Sequence, residues 1–313
     1  MTQPLLSICI PTYNRAYYLD QCLEAIVHQD GFDERVEVVI SDNASTDNTQ
    51  ELCKKYTEQY PNIRYFRNEV MGPNLHPVLQ RATGLLRKVT NDTILYQPGA
   101  IEYMLQAIEE NKEKKRQVYF LNTGRYKAPI KTESLDTFIT ALGFRITWFG
   151  SVSCWDEDCE DLSIIINDRT SALPQVPYLL GLFEKHGGGV VYDRPIMKVQ
   201  PVEMKRVSYG PDRIWGIHKI FYTNFLGFIQ QYVDSGKISK ESYEQVRKEL
   251  LLNFLCGWVA NWEINRDKYL FCETENLKEA VENSYKNDSY FWLYKLKLVY
   301  TKCKVIARKI LKA

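Results

Sequence analysis

The chain has 313 residues, 45% of them hydrophobic, and carries 40 Lys+Arg against 39 Asp+Glu. That length can bury a full core and suits one large α/β domain with an elaboration. A net charge of +1 implies no nucleic-acid partner for the whole chain, because phosphate binding needs a positive excess.

The first apolar run, Leu6–Ile10, ends at Pro11-Thr-Tyr-Asn-Arg15 and reads as a strand opening into a polar loop. A helix follows, with Leu19, Leu23, Ile26 and Val27 at three- and four-residue spacing. A second run, Val36–Ile40, ends at Ser41-Asp-Asn-Ala-Ser-Thr-Asp47. Strand, helix and strand in that order form a parallel pair with a right-handed crossover. Ligands of open α/β sheets sit beyond the carboxyl ends of the strands, so both polar loops are expected to face one crevice. Asn48–Tyr60 reads as a helix capped by Thr46 or Asp47, and Ile63–Phe66 as a third strand. Leu75–Leu86 reads as a helix with Pro77 in its first turn. In Leu85–Leu95 a core strand is expected, but Arg87 and Lys88 interrupt the apolar run.

Beyond the Tyr96–Gly99 turn, Ala100–Asn111 is an amphipathic helix and Val118–Leu121 a strand. Leu135–Leu142 looks helical, Ile146–Ser153 alternates like a strand, and Trp155–Asp161 is an acidic run. Tyr178–His186 is a helix, Gly189–Tyr192 a strand, and Ile214–Val233, Lys240–Val259 and Leu277–Tyr285 are helical. The eight cysteines form no CxxC pair and sit largely in apolar runs, which fits a reducing cytoplasm. The N-terminus has neither a signal peptide's basic region nor its long apolar segment. No window reaches the ~20 apolar residues of a membrane span.

The blocks Ser7–Arg15 and Val39–Thr49, with weaker support from Asn68–Gly84 and Ile94–Ile101, resemble the inverting GT-A glycosyltransferases of family 2. Phe144–Ser153 and Leu173–Leu182 look like the subset that builds bacterial surface polysaccharides. The resemblance implies a Rossmann-like, mixed but mostly parallel sheet flanked by helices, with a helical C-terminal portion. It divides the chain into a nucleotide-sugar and acceptor domain over residues 1–212 and a helical extension over 213–313. It implies transfer of a sugar from a nucleotide-diphosphate sugar to a glycan or lipid-linked acceptor. Pro11, Thr12, Tyr13, Asn14 and Arg15 would supply backbone groups, hydroxyls and a cation to the donor. Asp42 would accept a hydrogen bond from the base, with Asn43 and Ser45 near the ribose. The alternative for Asp42–Asp47 is a capped turn without a ligand. Arg81 either faces the diphosphate or is a solvated helix residue.

Similar enzymes carry two or three clustered aspartates that hold Mg²⁺ or Mn²⁺ on the donor phosphates. Here that place is taken by Asn91-Asp92-Thr93, leaving Asp92 as the one charged ligand. Either Arg87 and Lys88 replace the metal's charge, or the chain is a catalytically degenerate, nucleotide-sugar-binding or scaffold relative. A third reading leaves both cations solvated, with Asp92 capping a turn. Inversion needs a carboxylate base, and Asp158 and Asp161 are favoured within the acidic run. Trp148 and Trp155 flank that run as candidate sugar platforms, and Arg213 or His218 is a candidate for closing over phosphates. The tail beyond Asp288 has no acid and reads as a basic amphipathic helix for an anionic membrane surface, placing the protein on the inner face of the cell membrane.

Overall fold

The structure, a computed structural model, describes residues 3–160, 162, 173–201, 216–265 and 276–311. Chain contacts divide it into two compact units, residues 1–169 with 174–202 and residues 170–173 with 203–313; the expected 212/213 boundary lies outside the described residues.

The first unit is built on strands β1 (Leu6–Thr12), β2 (Val36–Asp42), β3 (Ile63–Arg67) and β4 (Leu86–Val89). The order is β3-β2-β1-β4, all parallel, and a fifth strand joins antiparallel at the β4 edge. Nearly every residue of β1 and all of β2 are buried, as expected of strands covered on both faces. Helices α1 (Ala16–Val27) and α2 (Thr49–Gln59) bury Leu19, Leu23, Ile26, Cys53 and Tyr56. Helix α3 (Leu75–Arg81) stops before Ala82, five residues short of the expected end, because Leu86 belongs to β4. Between them a Cβ on Gly84 would collide with Ser7 Oγ, so only glycine lets the two segments approach there. Chain order reverses at β1, with β2 on one side and β4 on the other. That is the strand-switch position at which open sheets leave a crevice.

Strand β5 (Ile94–Tyr96), helix α4 (Ala100–Asn111) and strand β6 (Gln117–Leu121) come next. They lead to β7 (Ile130–Thr132), α5 (Leu135–Leu142) and β8 (Ser153–Trp155), the antiparallel edge strand. The expected strand over Ile146–Ser153 is mostly 3₁₀ turns, Gly143–Thr147 and Phe149–Ser151; strand pairing begins only at Ser153. Helix α6 (Gln175–Lys185), β9 (Gly189–Asp193) and β10 (Met197–Val199) complete the unit. Strands β6-β9-β7 form a second sheet, and β10 pairs with β5.

The second unit is helical: α7 (Leu226–Asp234), α8 (Lys240–Glu249), α9 (Cys256–Ile264), α10 (Leu277–Tyr285) and α11 (Phe291–Ile310). Arg247 knits it together, with Nη1 2.6 Å from Asp288, Nη2 donating to Ser284 O at 2.9 Å and the guanidinium 4.6 Å from the Tyr285 ring centroid. His218 pairs with Ser284 Oγ at 2.8 Å and stacks on Tyr222, which makes it part of this helical core. Arg213 lies outside the described residues. Helix α11 packs on α9 through Tyr294 and Leu298. Its opposite face exposes Trp292, Leu296, Val299, Cys303, Ile306 and Ile310, a three- and four-residue stripe. Leu298 is buried and Val305 half-buried, so neither belongs to that exposed stripe.

Candidate active site

The two strand-end loops are joined before any ligand is considered. Thr12 and Asp42 are register partners at the ends of β1 and β2, and Asn43 N donates to Thr12 O at 2.9 Å. Asn14 adopts φ +50°, and Ala44 φ +63°, conformations that cost little for Asn and more for Ala. In that shape Asn14 N donates to Ser45 Oγ at 2.9 Å, and Asn14 Oδ1 accepts from Thr46 N at 2.7 Å. Asp47 caps both helices, accepting from Ala16 N at 3.1 Å and from Thr49 N at 3.1 Å.

At the centre Asp42 is fully buried. One carboxylate oxygen accepts from Ser45 N at 2.9 Å, the other from the Tyr65 hydroxyl at 2.7 Å. Burial, reinforced by that bond to Asp42, raises the Tyr65 phenol well above its usual range, so Tyr65 is a fixed donor. A carboxylate offers about four acceptor directions, which leaves Asp42 capacity for a ligand N–H. Asn43 holds the 68–74 loop, with Nδ2 donating to Gly72 O at 2.9 Å and Oδ1 accepting from Gly72 N at 3.0 Å.

Across the switch lies Asp92, in the turn after β4. Thr12 Oγ1 donates to one of its oxygens at 2.9 Å, and Arg15 Nη1 to the other at 3.0 Å. Burial pushes the Asp92 carboxyl up, against the opposing pull of Arg15 and Thr12. Thr12, Arg15 and Asp92 are thus bonded together at the strand switch, with Asp42 beside Thr12, at the place where open sheets leave a hollow for ligands. Pro11 and Tyr13 flank it in the same loop, and Asn91 precedes Asp92 in the turn.

Other expected residues lie elsewhere. Arg81 Nη1 donates to Ser41 Oγ at 2.8 Å, and side chains alternate along β2, so Arg81 sits on the face opposite Asp42. Arg87 Nη1 donates to Leu79 O at 2.8 Å. Lys88 is fully buried, with Nζ donating to Gly150 O at 2.7 Å and to Val89 O at 3.1 Å. Neither cation reaches Asp92, and neither is a solvated surface residue.

Asp158 is misplaced for a base. Trp155 pairs with Leu86, the first residue of β4, and Asp156 N donates to Leu85 O, so the acidic run leaves the sheet at the end away from the hollow. There Asp158 is sealed by Trp155 N at 3.0 Å, Lys185 Nζ at 2.7 Å and His186 Nε2 at 2.9 Å. Burial acts to raise its carboxyl, but His186 and Lys185 outweigh this and hold it below the usual range. Trp155 is likewise core, its indole N–H donating to Arg116 O at 3.1 Å. Asp161 lies outside the described residues. Among the described residues, Glu157, Asp158 and His186 are close enough to share a cation. Lys115 already pairs with Glu157 and Lys185 with Asp158, which balances that charge. Asp158→Ala is expected to cost about 3–5 kcal/mol of stability, the usual result of breaking a buried ion pair, with nucleotide affinity unchanged. Denaturant titration beside calorimetry checks both halves.

Residues 7–155 match the family model for glycosyl transferase family 2. They are a family 2 glycosyltransferase domain. The hollow lies wholly within this family 2 domain. Abequosyltransferase RfbV of Salmonella typhimurium is 47% identical over 72 residues, 22% of each chain. The GalNAc(5)-diNAcBac-PP-undecaprenol beta-1,3-glucosyltransferase of Campylobacter jejuni is 30% identical over 111 residues, 34% of this chain and 35% of the relative. The chain thus spans about a fifth of the length of the first curated relatives it matches. TarS 1-349 of S. aureus, solved with UDP-GlcNAc, superposes with TM-score 0.56 at 14% identity, covering 91% of this chain and 93% of that 1-349 chain. The Pyrobaculum calidifontis mannosyltransferase PcManGT, solved with GDP-Man and Mn²⁺, gives 0.53 at 16% identity, covering 97% and 87%. Those likenesses establish the GT-A fold of a family 2 domain.

Proposed function

We propose that this chain is an inverting glycosyltransferase that moves a sugar from a nucleotide-diphosphate sugar to a glycan acceptor in bacterial surface-polysaccharide synthesis. The observation that carries the reading is the convergence of Thr12, Arg15, Asp42 and Asp92 at the strand switch of a family 2 domain. Asp42 takes an N–H of the base, Asn43 and Ser45 shape the ribose side, and Arg15 faces the diphosphate. In the transfer, the acceptor hydroxyl oxygen bonds to the anomeric carbon and the bond from that carbon to the β-phosphate oxygen breaks. The hydroxyl proton passes to a base, and the nucleoside diphosphate departs. A relative named for its undecaprenol-linked acceptor supports a lipid-linked acceptor here as well. Incubation with UDP-, GDP-, CDP- and dTDP-sugars and polyprenyl-diphosphate-linked glycans should release one nucleoside diphosphate and extend the lipid. Saturable donor binding without release would instead favour the non-catalytic relative, the reading to which Asn91-Asp92-Thr93 lends weight.

The donor and acceptor are handled by residues 1–212 on this reading, and membrane contact by 213–313. No helix among the described residues is long and apolar enough to cross a membrane. Instead, the exposed stripe of α11 is accompanied by the exposed cations Lys304, Arg308 and Lys309, while Lys295 and Lys302 pair with Glu282 and Glu263, a pattern suited to lying in the headgroup region on the cytoplasmic face. Each cation near an anionic leaflet contributes about 1 kcal/mol. The chain should co-sediment with phosphatidylglycerol vesicles and not with phosphatidylcholine ones, and high salt should release it. Ile306→Glu, on the exposed face, should weaken vesicle binding roughly tenfold without changing the melting temperature, since burying a charge costs at least ~1.4 kcal/mol.

A further inference from the structure

We infer that this chain binds the donor diphosphate without a divalent metal, the Arg15 guanidinium held by Asp92 serving as the cation. The inference deepens the proposed function and rests on it.

The family's metal site does not fit the residues present. A hard divalent cation in such a site is held by carboxylates and other oxygens, and its affinity follows the negative charge offered. The Asn91-Asp92-Thr93 turn offers one carboxylate, and Asn91 and Thr93 offer only neutral oxygens. Each oxygen of that carboxylate accepts one hydrogen bond, from the Thr12 hydroxyl at 2.9 Å and from Arg15 at 3.0 Å, and what sets it apart from Asp42 is that one of these partners is a guanidinium whose charge already balances its own. A cation bonded to the Asp92 oxygen that Arg15 holds would lie at about 2.0–2.6 Å from it. It would meet a permanent positive charge bound to the same atom, and the ion pair would have to break first.

Arg15 itself meets the requirements of the missing ion. It is a cation whose planar fork matches phosphate oxygens in pairs. Asp92, itself only 3% exposed, fixes it through Nη1, while 33% of the Arg15 side chain stays exposed and so accessible to a ligand. It immediately precedes α1, in a loop whose shape is set by Asn14, Ser45 and Asp47. A fixed cation placed this way stabilises charge on a departing diphosphate with little reorganisation. Arg87 and Lys88, the other cations of this region, are committed to backbone carbonyls.

Calorimetric titration of the intact chain with UDP, GDP, CDP and dTDP, in EDTA and in excess MnCl₂, tests this. The diphosphate that binds should do so with the same affinity in both buffers. Arg15→Met should weaken it roughly 10- to 100-fold, and Arg15→Lys less, as expected for loss of a charged hydrogen-bond pair. Because Arg15→Met alone leaves Asp92 buried and unpaired, the double variant Arg15→Met/Asp92→Asn is measured beside it and should show the same loss. A tenfold gain on adding Mn²⁺, or unchanged affinity in both variants, overturns the inference while leaving the proposed function standing. No binding in either buffer overturns both.

Discussion

Asp42→Ala should lower affinity for the bound nucleoside diphosphate roughly a hundredfold, as expected when a charged hydrogen-bond acceptor is removed from a buried site. The side chain is fully buried and does two jobs. On the proposed function it gives the base an acceptor, and it holds the loop by accepting from Ser45 N and the Tyr65 hydroxyl. Alanine leaves both donors without their partner, so stability should fall as well, by about 2–4 kcal/mol. Tyr65→Phe separates the jobs. It removes one donor to Asp42 but leaves the carboxylate in place, and should cost only a few-fold in affinity, about 1 kcal/mol. If Asp42 were merely a turn cap, the two variants would lose affinity in proportion to their loss of stability.

The second large effect concerns Lys88. Complete burial, only partly offset by Cys9, pushes its ammonium down to about 7. In the unfolded chain the same group titrates near 10.4. Between those values the unfolded state binds more protons, so stability rises with pH. The penalty is complete below about 7 and is relieved above it. Burial raises the thiols of Cys9, Cys22 and Cys154, which act with opposite sign once unfolded thiols ionise near pH 8.5. Stability should therefore climb by only about 0.5 kcal/mol from pH 7 to 8 and fall above about pH 8.5, where the thiols outnumber the one ammonium. Lys88→Met should abolish the climb. At pH 7 it should stabilise the fold by about 2 kcal/mol, because relief from burying an ammonium exceeds the loss of its bonds to Val89 and Gly150 carbonyls. Urea midpoints across that pH range read both expectations.

Lys88 also marks where sequence reading reaches its limit. The loops after β1 and β2 were legible because each apolar run is uninterrupted and ends in residues that cap or turn. The strand at β4 was obscured because hydrophobic pattern is its only signal, and two cations break the pattern. Lys88 is tolerated there because the carbonyls of Val89 and Gly150 lie within reach, one of them 62 residues away in sequence. Tyr65 was missed for a similar reason: its link to Asp42 exists only once β3 lies beside β2. Asp158 was favoured because carboxylates are dense around it. Density along the chain says nothing about which end of a sheet a run emerges from, and the antiparallel β8 carries it to the wrong one. Strands β5, β7 and β10, at three residues each, are too short for any period to register.

The central claim is tested most directly by a crystal structure of the intact chain grown with a saturating nucleoside diphosphate. The account predicts the base within hydrogen-bonding distance of Asp42 and a phosphate oxygen on the Arg15 guanidinium. A nucleotide seated elsewhere, or density absent from that hollow at saturation, would contradict it.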